Sequence, residues 1–127
     1  MGRSARRATA AAALLALGFG AGVAFSQAAL DPVQVAPHIY ETAFENDRVR
    51  VIRRTIRKGE TPPLVAQPDR VVVYLNPCAW LEEDDSGEKT MRSYKYGEPV
   101  WQAANMHGGS SIPVVQECSV IEVEILQ

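Results

Sequence analysis

KGETPPLVAQPDRVVVYLNPC, residues 58–78, is the stretch from which the rest of the chain can be read. Lys58-Gly59-Glu60 is a turn. Pro62, Pro63 and Pro68 withhold the N–H that a ladder needs, so residues 61–69 read as loop. Arg70 to Leu75 is then a strand, apolar on both sides. Its period of two puts Val71, Val73 and Leu75 on one face, with Val72 and Tyr74 on the other. A strand apolar on both faces has to be covered twice. In a domain this small the second cover is the N-terminal arm or another subunit.

Working outward, the same local chemistry recurs. Leu30 to Pro37 carries two prolines and no helical period, and reads as an extended arm. His38 to Phe44 and Val49 to Arg57 are rich in residues that strands favour, separated by a Glu45-Asn46-Asp47 turn. Trp80 to Glu82 and Lys89 to Tyr94 flank Asp84-Asp85-Ser86-Gly87, a hairpin signal. Gly97-Glu98-Pro99 turns the chain into Val100 to Ala104, and Asn105 to Ile112 contains Gly108 and Gly109. Ser119 to Ile125 alternates cleanly, which predicts Ile121, Val123 and Ile125 on the core side and Glu122 and Glu124 in water. No segment after residue 30 has a helical period. About nine short strands with frequent turns define an all-β sandwich or barrel.

The N-terminus reads differently. Arg3, Arg6 and Arg7 precede an apolar run from Ala8 to Phe25, and Ser26-Gln27-Ala28 supplies the small residues of a cleavage site. That pattern is a secretory signal peptide over residues 1–28, with the domain in residues 29–127 and a periplasmic or secreted destination. The rival reading, an uncleaved membrane anchor, has an apolar run at the short limit for a span. The exported part keeps ten basic and fifteen acidic residues, a net charge of about −5. That balance argues against nucleic acid and, after signal cleavage, against a membrane surface as partners. Glu82-Glu83-Asp84-Asp85 lacks the alternating ligand spacing of a calcium loop and reads as a solvated hairpin end. In an oxidising compartment Cys78 and Cys118 either form a disulfide or remain buried thiols.

Two motifs resemble those of the cupin superfamily. The first, G-x5-H-x-H-x3-E-x6-G, aligns on Gly59 and keeps Pro68. It places Val65 and Gln67 at the two His positions, Val71 at the Glu and Cys78 at the final Gly. The second aligns on GEPVWQAANMH, Gly97 to His107, keeping Gly97, Val100, Trp101 and His107. Phe44 to Val51 (FENDRVRV) and Ile121 to Ile125 (IEVEI) fit the edge strands of the family. The resemblance implies a cupin-like jelly-roll β-barrel over nearly all of residues 35–126. It also implies that of the usual metal ligands, two His, a Glu and a third His, only His107 survives.

A site with one imidazole, one carboxamide and two valines does not hold a divalent ion, so no metal and no cofactor is implied. Val65, Gln67, Val71 and Val73 beside His107 make either a small-ligand pocket, with Trp101 at its rim, or a barrel filled by its own side chains. Desolvation should keep His107 neutral. Arg48, Arg50, Arg53, Arg54, Arg57 and Arg70 read as a solvated basic face, or as forks for an anionic ligand. The residues favour non-catalytic binding of a small ligand in the barrel, or protein interaction, with a homodimer through the Val72/Tyr74 face. The alternative is a metal-independent epimerase- or isomerase-like enzyme using His107 as its base, which would need an orienting carboxylate and an opposing Tyr.

Overall fold

In the computed structural model, which describes residues 30–127, the chain begins with one helical turn, α1 (Pro32–Val35). The Asp31 side chain accepts the Val33 N–H, and a proline stands at the start of the turn, where its missing N–H costs nothing. The sequence reading had an extended arm here, because two prolines within eight residues hide a turn too short to show a period. The predicted signal peptide, residues 1–28, lies outside the described residues.

Nine strands follow: β1 (Tyr40–Glu45), β2 (Val49–Ile56), β3 (Val65–Gln67), β4 (Arg70–Tyr74), β5 (Cys78–Glu83), β6 (Lys89–Tyr94), β7 (Pro99–Gln102), β8 (Asn105–His107) and β9 (Cys118–Ile125). The predicted turns set their ends. Asn46 Oδ1 accepts the N–H groups of Arg48 and Val49, and Asp84 Oδ1 accepts those of Ser86 and Glu88. Gly59, Gly87 and Gly97 take the positive φ that their turns need. β3 was read as loop; its three residues are too few for alternation to register, and prolines stand on both sides of it.

The strands do not close into the barrel that the sequence suggested. β1-β2-β9-β4-β7 form one antiparallel sheet, while β3-β8 and β5-β6 are separate two-stranded ribbons. Pro62, Pro63, Pro68 and Pro77 flank the ribbon strands where a ladder would have to continue. Both ribbons lie against the inner face of the large sheet. Val65 of β3 packs with Tyr40, Ile52, Ile56 and Val114, together with Ala36 and Ile39 from the segment after α1. Cys78 of β5 packs with Val72, Tyr74, Cys118 and Val120. Trp80 touches both clusters. Tyr74 and Tyr94 stack with ring centroids 4.4 Å apart, and Trp80 lies 5.1 Å from Tyr94. Cys78 and Cys118 are bridged, with sulfurs 2.08 Å apart, tying β5 to β9.

The faces of the large sheet are the reverse of the sequence reading. Cys118, Val120, Glu122 and Glu124 are the buried residues of β9; Ile121 and Val123 are only half-buried and Ile125 is exposed. In β4, Arg70, Val72 and Tyr74 point inward while Val71 and Val73 face out. Arg50, Arg54 and Arg70 therefore stand inside the fold, not on a solvated face. Arg50 pairs with Glu124 and Arg54 with Glu122, while Arg70 stands in register with Glu124 without an ion pair to it. Charge pairing, not apolarity, decides which face of β9 turns in.

Candidate functional site

Seven side chains form a chain of contacts along the inner face of the sheet. Asp31 Oδ2 accepts Arg50 Nη1 at 2.7 Å, and Arg50 Nε donates to Glu124 Oε2 at 2.7 Å. Gln67 Nε2 donates to Glu124 Oε1 at 3.3 Å and to Glu122 Oε2 at 2.6 Å. Arg54 Nε lies 3.1 Å from Glu122 Oε1, off the hydrogen-bonding angle, and Arg54 Nη1 donates to His107 Nε2 at 2.6 Å. Since a guanidinium has only protons to give, His107 accepts through Nε2 and keeps its proton on Nδ1.

Strand geometry places these groups. Ile52 sits opposite Glu122 on β9, so Arg54, two residues along β2, reaches that carboxylate diagonally. β3 pairs with β8, which sets Gln67 opposite Asn105 and Val65 opposite His107. Gly108, at φ 80°, follows His107; a side chain there would collide with the Pro63 carbonyl. Arg70 is fully buried, and its guanidinium is held by neutral acceptors: Asn105 Oδ1 at 2.9 Å, Gln102 Oε1 at 2.6 Å and Pro68 O at 3.2 Å.

Burial governs the proton affinities. His107 is pushed down to about 3 by burial first, then by the positive charges of Arg54 and Arg70. Burial also pulls on Arg54, but the Glu122 carboxylate, with the Tyr40 and Tyr74 hydroxyls, outweighs it and holds Arg54 above its ordinary value. Arg70 is lowered by burial, which Glu122 only partly offsets. Glu124 is raised by burial despite its bond from Arg50, and both Tyr40 and Tyr74 are raised by burial. Among the described residues, six buried side-chain polar atoms have no hydrogen-bond partner: Tyr40 Oη, Arg54 Nε, Gln67 Oε1, Arg70 Nε, Tyr74 Oη and Glu122 Oε1.

Two clefts reach this chain from opposite ends. One, of about 820 Å³, has Arg54, His107, Trp80 and Val114 along it, with the β5-β6 carboxylates Glu82, Glu83, Asp84 and Glu88 among its lining residues. The other, of about 640 Å³, is lined by Asp31, Arg50, Gln67 and Glu124 and bordered by the last residues of the chain.

Of the residues singled out from sequence, His107, Gln67 and Val65 come together on the β3-β8 ribbon. Val71 does not line the pocket. It sits on the outer face, in register with Trp101 and Val123, and Trp101 is 58% exposed there. Both residues were assigned by motif position, and the period of two carries them through the sheet. Sequence reasoning missed Glu122, Glu124 and Tyr40, and it named Arg54 and Arg70 only as part of a basic face or as forks for an anion, not as neighbours of His107. The signal was present: β2 and β9 carry opposite charges at alternate positions, Arg50 and Arg54 against Glu122 and Glu124.

Among solved structures, the chain resembles a cupin domain from Bordetella pertussis Tohama I. That match has a TM-score of 0.58 at 20% identity and covers 70% of this chain and 93% of that one. A cupin superfamily protein from Desulfitobacterium hafniense DCB-2 matches with a TM-score of 0.50 at 14% identity, covering 70% and 77%. The fold is cupin-like. No family profile matches the sequence, and no curated protein matches it.

A cupin-like fold raises the question of a metal, and the donor set here does not suit one. The two His positions of the motif hold Val65 and Gln67, and the Glu position, Val71, is on the wrong face of the sheet. Nε2 of His107 already accepts from Arg54. Among the described residues no three His, Cys, Asp or Glu side chains converge.

Proposed function

We propose that this is an exported cupin-like protein that binds a small polar molecule without transforming it, in the cleft floored by Arg54 and His107. The observation that carries the reading is the 2.6 Å bond from Arg54 to His107 Nε2. It engages the lone pair that a general base would use. Burial and two guanidinium groups hold that nitrogen near 3, far below the range in which a base works at neutral pH. What is left is a recognition surface: buried donors beside Trp80 and Val114 in a cleft of about 820 Å³, large enough for a small metabolite. The disulfide supports an oxidising destination, periplasmic or secreted, and the basic-then-apolar N-terminus of the sequence supports export.

The test is a thermal-shift screen of sugars, sugar acids, amino acids and polyamines. A true ligand raises the midpoint of the wild type and loses that effect in both His107→Ala and Trp80→Ala. A compound that is converted by the wild type but not by His107→Ala would overturn the reading in favour of the enzyme.

One observation favours an additional role in association, through a second copy of the chain. Phe44, Val51, Val123, Val71 and Trp101 run in register across the sheet as an apolar row facing outward, with Phe44 53% and Trp101 58% exposed. Beside that row stands the exposed pair Arg53–Glu41, 3.9 Å apart, whose charges a two-fold related copy would meet in reverse. The face is thus Val71/Val73 and not the Val72/Tyr74 face expected from sequence. Sedimentation velocity across a concentration series checks it: a species of twice the monomer mass, lost in Val123→Glu, is expected. A monomer at every concentration would refute it.

A further inference from the structure

We propose that the cleft over His107 takes a zwitterion, a small aliphatic amino acid, with its carboxylate on the floor and its ammonium at the mouth. The proposal rests on the binding reading above and names the class of ligand. The side chains of the floor have only donors left to give. His107 accepts from Arg54 through Nε2, so the neutral ring presents Nδ1–H, to which nothing is bonded among the described residues. Arg54, a guanidinium lining the same cleft, cannot accept. Asn105 lines it too; its Oδ1 accepts from Arg70 at 2.9 Å, which leaves its amide protons for a ligand. An ammonium finds no acceptor among these groups, whereas a carboxylate meets charge-assisted donors.

The distribution of charge agrees. At the far end of the polar chain, Arg50 lies between two carboxylates, Asp31 and Glu124. At the His107 end, Arg54 and Arg70 stand against Glu122, and Arg70 is bonded to neutral oxygens alone. The floor is therefore left with positive charge. The mouth has the opposite sign: Glu82, Glu83, Asp84 and Glu88 of the β5-β6 hairpin line the cleft and are exposed. Glu82 is paired with Arg92 at 2.9 Å and Glu83 has Lys89 at 3.9 Å, but Asp84 and Glu88 have no cation beside them among the described residues. Trp80, Ile112 and Val114 offer apolar wall to an aliphatic stem. A diamine is thus opposed at the floor and a dianion at the mouth.

The experiment titrates the protein with γ-aminobutyrate, butyrate, butyramide, butylamine and glutarate, read by nitrogen NMR of the histidine rings and by calorimetry. His107→Gln assigns the His107 signals, since His38 is the only other histidine. The free protein is expected to carry the ring proton on Nδ1. γ-Aminobutyrate should move that resonance and bind at least about tenfold more tightly than butyramide or butylamine. Glutarate should bind more weakly than butyrate. Glu88→Lys, a change at an exposed side chain, should weaken γ-aminobutyrate and strengthen glutarate. Four results would each overturn the proposal: a proton on Nε2, no response of Nδ1–H to any carboxylate, butylamine as tight as γ-aminobutyrate, or a Glu88→Lys variant with unchanged preferences. A preference for butylamine strikes the ligand class and leaves the binding reading standing. Conversion of a ligand strikes that reading, and the position of the ring proton is still measured in the free protein.

Discussion

On the inner face of the five-stranded sheet, Arg50, Arg54, Arg70, Glu122 and Glu124 stand among Ile52, Val72 and Tyr74. On the outer face, Phe44, Val51, Val123, Val71 and Trp101 form a row without a charge in it. The same strands supply both. A buried charge is tolerated only with partners, and each inner residue is held by named neighbours on other strands, so it fixes register and geometry. An outer valine needs no particular neighbour; it needs only to be covered or tolerated. The inner face should therefore be the sensitive one and the outer face the permissive one, and substitutions on each can break that contrast.

The largest effect is expected at Glu122. Glu122→Ala leaves the buried Arg54 charge without its carboxylate, takes the shorter of two acceptors from Gln67, and should cost about 3–5 kcal/mol in urea unfolding. The double variant Arg54→Met/Glu122→Leu, which removes both charges, should recover much of that loss. If it is as unstable as the single variant, the pair is not what sets the cost. Next comes the disulfide. Cys78→Ser/Cys118→Ser, or reduction, releases a crosslink between residues 40 apart in sequence and should cost about 2–4 kcal/mol.

A smaller effect is expected from pH. The folded value of His107, about 3, lies below its unfolded value near 6.5, so the fold favours the neutral ring. Its contribution is fully present above 6.5 and is lost as pH falls toward 3, by on the order of a few kcal/mol at most. Glu124, raised by burial, acts in the opposite sense, destabilising as pH rises through its folded value. Subtracting the stability–pH curve of His107→Gln isolates the imidazole; a difference curve that stays flat between 6.5 and 3 would show that the ring is not sequestered. Smallest of all, Val71→Thr and Val123→Glu on the outer face should change monomer stability by about 0.5 kcal/mol or less, while Val123→Glu abolishes self-association. A large loss in the monomer itself would mean the outer face is packed more tightly than its exposure implies.

The contrast also explains how far the sequence could be read. Turn residues such as Asn46, Asp84 and Gly97 act locally, and so the strands between them were legible to within about two residues, β3 and β8 apart. Alternation in SVIEVEI was legible too, but alternation has two solutions, and the one with isoleucine inside was the natural choice. What selects the other is Arg50 and Arg54, more than 60 residues away in sequence on a strand that pairs with β9 only after folding. For the same reason His107, Gln67 and Val65 were found by motif spacing, whereas Arg54, the residue that engages His107, was not. Val71 and Trp101 were misplaced because motif alignment gives positions along a strand and takes its facing on trust.

Gly108 constrains how this site could vary. It sits against the Pro63 carbonyl with φ at 80°, so the main chain of β8 is seated directly on the main chain of the Pro62–Pro63 loop. The His107 ring is thus held in place next to Arg54 by a backbone contact that leaves no space for a side chain. A selection from a library randomised across residues 105–110 should accept many replacements at Met106 and Ser110, both exposed, and return only glycine at 108.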